Sequence, residues 1–141
     1  MEKLPTMVLK KAPAQFQNYP DWETIEDVGP VIGEPILELN EFLKKGEDPI
    51  DGKELIKRGK KLGRMAGQSC AEKLLTCQGD IPVEWRKFSL VFLGTIRRLP
   101  DRSDLCVAYL YWDDDTQKWY LGFLWLGDLF GVHYRLVRLG K

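Results

Sequence analysis

The chain has 141 residues, the length of one domain with a substantial core. Its 21 basic and 21 acidic residues cancel, which argues against a generic polyanion binder. No apolar run reaches the ~18–20 residues that span a bilayer as a helix, the start Met1-Glu2-Lys3-Leu4-Pro5 has no signal-peptide core, and Cys70, Cys77 and Cys106 are an odd number for a disulfide framework. A cytoplasmic protein with reduced thiols and no membrane partner is therefore expected.

Residues 1–20 hold Pro5, Pro13 and Pro20 around Lys10-Lys11, which predicts an extended N-terminal arm. Residues 21–141 are then expected to form a single α+β domain. Asp21 is placed to cap a helix, Gly29-Pro30 interrupts it, and Pro35 suits the first turn of a restart. Ile36, Leu39 and Leu43 recur at i, i+3 and i+7 before Lys44-Lys45-Gly46, so helix is predicted within about 21–45. Asp51 with Glu54 three residues on has the form of a capping box and opens a second predicted helix, about 51–77.

Gly59, Gly63 and Gly67 fall inside that helix at a spacing of four. Three helical glycines cost ~3 kcal/mol against alanine. One reading is a stripe of small residues in tight contact with the sheet or the preceding helix. The other is a helix broken near Gly59 or Gly63. Ile81-Pro82-Val83-Glu84-Trp85-Arg86 then reads as a short connection.

Four strands are predicted in the last third, at about 88–96, 105–112, 119–126 and 132–139. Each run is aromatic or β-branched, and turn residues separate them: Pro100-Asp101, the polar loop 113–118, and the Gly127 to Gly131 segment. Along the second run Leu105, Val107, Tyr109 and Tyr111 share one face, and Cys106, Ala108, Leu110 and Trp112 the other. Along the third, Trp119, Leu121, Phe123 and Trp125 oppose Tyr120, Gly122, Leu124 and Leu126. Neither strand has a polar face, so both central strands are expected to be covered on both sides. Helices followed by strands predict an α+β fold in which the N-terminal helices pack on one face of a four-stranded antiparallel meander.

Charge is segregated. Residues 21–48 are rich in Asp and Glu, whereas 53–64 hold Lys53, Lys57, Arg58, Lys60, Lys61 and Arg64. An acidic segment lying beside a basic helix is one reading. A basic face left free for phosphates, joined by the strand residues Arg97, Arg98, Arg135 and Arg138, is the other. The single histidine, His133, has no nucleophile motif to serve. Cys70 and Cys77 are poorly spaced for one zinc, and Asp113-Asp114-Asp115 lacks the glycine and distal glutamate of a calcium loop. The glycines match no phosphate-cradling loop, so neither a metal nor a cofactor is expected.

Trp85-Arg86-Lys87-Phe88 through Thr95, Tyr109-Leu110-Tyr111-Trp112, Trp119 through Gly127, and Tyr134-Arg135-Leu136-Val137-Arg138 resemble stretches of a group of small uncharacterised bacterial proteins. The resemblance implies a bacterial or mobile-element origin and carries no activity or residue role.

Helices on one side leave the other side of an aromatic sheet needing cover. Trp and Tyr are favoured interface anchors. The first functional expectation is thus a non-enzymatic interaction module, self-associating as a homodimer or binding another protein through Tyr109, Tyr111, Trp112, Trp119, Tyr120 and Trp125. The alternative is a nucleic-acid-binding protein using Lys53, Lys57, Lys60, Lys61, Arg64 and the four strand arginines. A third is an enzyme centred on His133.

Overall fold

The computed structural model describes residues 4–10, 21–100 and 103–140. In chain order these form β1 (Met7–Val8), β2 (Glu23–Asp27), β3 (Ile36–Asn40), β4 (Ile50–Asp51), α1 (Gly52–Leu62), α2 (Gln68–Thr76), β5 (Ser89–Arg98), β6 (Leu105–Asp113), β7 (Lys118–Trp125), β8 (Leu129–Phe130) and β9 (Tyr134–Leu139). Short 3₁₀ turns occupy Gln78–Asp80 and Val83–Lys87.

The fold is mostly sheet, which corrects the expected helices on a four-stranded meander. A seven-stranded mixed sheet runs β1-β3-β9-β5-β6-β7, with β2 paired to β5, and a second small sheet joins β4 to β8. The predicted helix over about 21–45 is instead β2 and β3. Leu37 and Leu39 face the core in the alternation of a strand, and β3 pairs with β9 from Leu37↔Leu139 to Asn40↔Leu136. Long-range pairing overrides the local i, i+3, i+7 pattern there. The described part of the predicted arm, residues 4–10, adds a strand: Met7 pairs with Leu37, and Leu9 is buried. Residues 11–20 lie outside the described residues.

The four C-terminal strands fall within two residues of their predicted ends, but their order differs. β5, β6 and β7 form the expected antiparallel meander. β9 does not join β7. It crosses back to the other side of β5 and pairs with it in parallel, from Ser89↔Tyr134 to Val91↔Leu136. The crossing segment includes β8, and its Phe130 is buried beneath α1 and the sheet.

The predicted helix over about 51–77 is broken. Asp51 does cap α1, its carboxylate accepting from the Glu54 amide at 3.0 Å. Gly63 ends that helix with φ +136°, a conformation open to glycine and strained for other residues. The chain then runs extended into the gap where β5 and β9 splay. Ala66 N donates to Val137 O, Gly94 N donates to Ala66 O, and Leu139 N donates to Arg64 O. The α1–α2 linker thus fills a slot in the sheet and carries the chain from one face to the other.

Close approach makes the slot possible. A methyl group on Gly94 would come within 2.6 Å of the Met65 carbonyl oxygen, and one on Gly67 within 2.4 Å of Thr95 Oγ1. As a result the helices cover opposite faces. Leu55 of α1 packs with Val91, Leu93, Val107 and Leu136, while Cys70, Ala71 and Leu74 of α2 pack with Leu90, Phe92, Ala108 and Leu110. The expectation that helices shield one side only is overturned by this threading.

Candidate functional site: the two faces of the β6–β7 hairpin

Pairing of Trp112 with Trp119 and of Tyr111 with Tyr120 sorts the six aromatic residues expected to form one surface onto two faces. Trp112, Trp119 and Trp125 share one face, and Trp112 and Trp119 pack in the cluster that includes α2 and Trp85 of the second 3₁₀ turn. Trp119 is only 2% exposed. Trp112 meets it edge-on at 5.8 Å and is covered by the Arg86 guanidinium 3.8 Å from the ring centre. Trp125 is half-buried on the same face. The Gln78 side chain closes the β7 backbone beside them, its amide donating to Trp119 O and its carbonyl accepting from Trp119 N. This face is core.

Tyr109, Tyr111 and Tyr120 share the opposite face, beyond the reach of α1. Their rings form a row, Tyr109 to Tyr111 at 5.3 Å and Tyr111 to Tyr120 at 5.8 Å, each pair stacked at 27°. Gly122 explains how the row lies flat. It sits opposite Tyr109, and a methyl there would fall 2.7 Å from the Tyr109 ring. Burial, then the neighbouring Tyr111 and Tyr134, raise the Tyr109 hydroxyl above its ordinary pKa, so it stays protonated well past neutrality. Tyr120 donates to Thr116 Oγ1 at 3.0 Å, tying the row to the hairpin turn. Tyr111 is 37% exposed, and Leu129 and Val132 on the crossing segment are 64% and 62% exposed.

The basic residues also divide. Lys53, Lys57, Lys60, Lys61 and Arg64 are exposed, and the four lysines form the outward side of α1. Lys60 has one loose ion pair, to Glu26 at 3.6 Å. Arg58 points elsewhere, bound at 2.6 Å by Glu47 and at 2.8 Å by Glu54. Its guanidinium holds the Glu47 carboxyl down at about 2.

The strand arginines do not join the lysines. Arg97 donates to Trp22 O and lies over that ring. Arg98 binds Glu23, Arg138 binds Glu38 and the Leu62 carbonyl, and Arg135 binds Glu41 and stacks on Phe88. The acidic stretch thus supplies partners mainly to strand arginines, and Glu23–Arg98 and Glu38–Arg138 are direct cross-strand pairs.

His133 lies in the exposed turn before β9, not on a strand as read from the sequence, and its carbonyl accepts from Ser89 N. Asp113 ends β6 and Asp114-Asp115 open the β6–β7 turn, where Asp114 accepts from Trp112 Nε1 and Asp113 from the Asp115 amide. Cys70, Cys77 and Cys106 are free thiols, and burial pushes Cys70 up to about 12 and Cys106 to about 11. Among the described residues no three His, Cys, Asp or Glu side chains gather as metal ligands, and no helix is long and apolar enough to cross a membrane.

A cavity of about 340 Å³ beside the start of α2 is lined by Thr24, Asp27, Gln68, Ser69, Thr95 and Arg97. Its polar groups are largely consumed internally. Thr95 Oγ1 accepts from Gln68 N and donates to Asp27, and Gln68 Nε2 donates to Glu72.

Reasoning from sequence missed Gly122 as part of the tyrosine face. A glycine opposite a tyrosine within a strand was the available signal for it. No protein-family model, curated protein or solved structure matches the chain.

Proposed function

We propose that the chain is a non-catalytic protein-interaction module that self-associates through the tyrosine face. The observation that carries this reading is the stacked row Tyr109–Tyr111–Tyr120, partly exposed and most open at Tyr111, on a sheet face whose other half is covered by α1. Tyrosine offers a large, rigid contact area and a polar tip that tolerates water when unpartnered, which suits a surface that forms and dissolves. Sedimentation over a wide concentration range tests it. The wild type is expected to form a species larger than the monomer, and Tyr111→Glu to remain monomeric. A wild type that stays monomeric at the highest concentration, or a variant that associates equally, overturns the reading.

The lysine side of α1 favours a second reading, contact with a nucleic-acid backbone, because all four lysines are exposed and among the described residues only Lys60 has an ion pair, a loose one to Glu26. With the strand arginines engaged internally, that surface reduces to α1 and Arg64. Titration of a labelled oligonucleotide at low salt tests it, and absence of binding removes it.

A further inference from the structure

We infer that the occupant of the tyrosine face is a second copy of this chain, crossed so that the lysine side of each α1 lies over the tyrosine row and acidic hairpin turn of the other. This rests on the self-association reading and adds its geometry. The face has a step. α1 covers the end near Leu126, where Gly52 N donates to Leu126 O, and the tyrosines lie at the other end. From Leu126 back to Tyr120 is ~20 Å along the strand at ~3.3 Å per residue. A helix raises its end by ~10 Å over the bare sheet.

A step is self-complementary about a two-fold axis parallel to the sheet. Rotation places the high end of one copy over the low end of the other, twice, and closes the pair. Charge follows shape. The high end presents Lys53, Lys57, Lys60 and Lys61, and the low end carries the tyrosine row and the exposed Asp115, while the Asp114 carboxylate is held by Trp112 Nε1 of the other face. Lysine over tyrosine is attractive, and lysine beside Asp115 is attractive again. A pairing of like ends would instead bring lysines to lysines.

Charge exchange tests this. Lys57 and Asp115 are exposed, and neither side chain has a hydrogen bond or ion pair among the described residues, so Lys57→Glu and Asp115→Lys break no paired contact, and circular dichroism of each variant checks that it folds. Sedimentation of the wild type is expected to show association that weakens with salt. Each single variant should weaken it at least about tenfold, since symmetry repeats each clash. The double variant Lys57→Glu/Asp115→Lys should recover most of the loss. If both single variants associate like the wild type while Tyr111→Glu still dissociates, the crossed geometry falls and the tyrosine face stands. If the wild type never associates, both fall. Oligonucleotide binding by a monomeric wild type, lost in Lys57→Glu, also overturns the inference and assigns the lysines to a polyanion.

Discussion

The two faces of the β6–β7 hairpin are built from nearly the same material and meet different ends. Trp112, Trp119 and Trp125 alternate with Tyr111, Tyr120 and Leu124 on the same two strands. Trp119 is enclosed by α2 and the 3₁₀ turns, with Trp112 half-buried under an arginine lid, and the tyrosine row is left partly exposed, most of all at Tyr111. Side-chain hydrophobicity alone does not decide this. The linker that threads between β5 and β9 decides it, by sending one short helix to each face.

The largest way to sharpen the contrast is truncation. Trp119→Ala should cost about 3–5 kcal/mol, because it empties a fully enclosed site. Denaturant unfolding should show this as a lower midpoint with little change in slope. Next comes the slot. Gly94→Ala sets a methyl 2.6 Å from a backbone oxygen that cannot rotate away, and should cost about 1–3 kcal/mol in the same assay. A smaller effect belongs to pH. Glu47 is held at about 2 by Arg58, so its contribution is complete above the ordinary carboxylate value of 4.5 and is lost as pH falls toward 2. Glu47→Gln should flatten the acid limb of the unfolding midpoint across that window. The smallest effect is expected at Tyr111→Ala, within about 0.5 kcal/mol for the dilute protein, as for other surface sites. The same substitution should still weaken association.

Much of this was legible in the sequence where the cause is local. The strands from 88 to 139 announced themselves by β-branched and aromatic runs between turn residues, and the Asp51–Glu54 cap by its spacing. The glycine series was legible as a place of close approach, although the helix around it was not continuous: Gly63 and Gly67 mark the break and the slot. What stayed hidden is non-local. β2 and β3 exist because β5 and β9 offer edges to them, and Ile36, Leu39 and Leu43 mimic a helical face only along the chain. The parallel β5–β9 pair depends on a crossing segment whose path no local pattern encodes. The alternation of Tyr109 with Leu110 and Trp112 is written in the sequence, yet the six aromatic residues are grouped there as one surface; they lie on two faces, and which of them is covered follows from that path.

Hydroxyl-radical footprinting of the aromatic side chains, read by mass spectrometry in dilute and concentrated protein, tests the account most directly. Trp119 and Trp85 should resist oxidation at both concentrations, while Tyr111 and Tyr120 should be oxidised when dilute and protected when concentrated. Equal oxidation of Tyr111 at both concentrations, or Trp119 oxidised as readily as Tyr111, would contradict it.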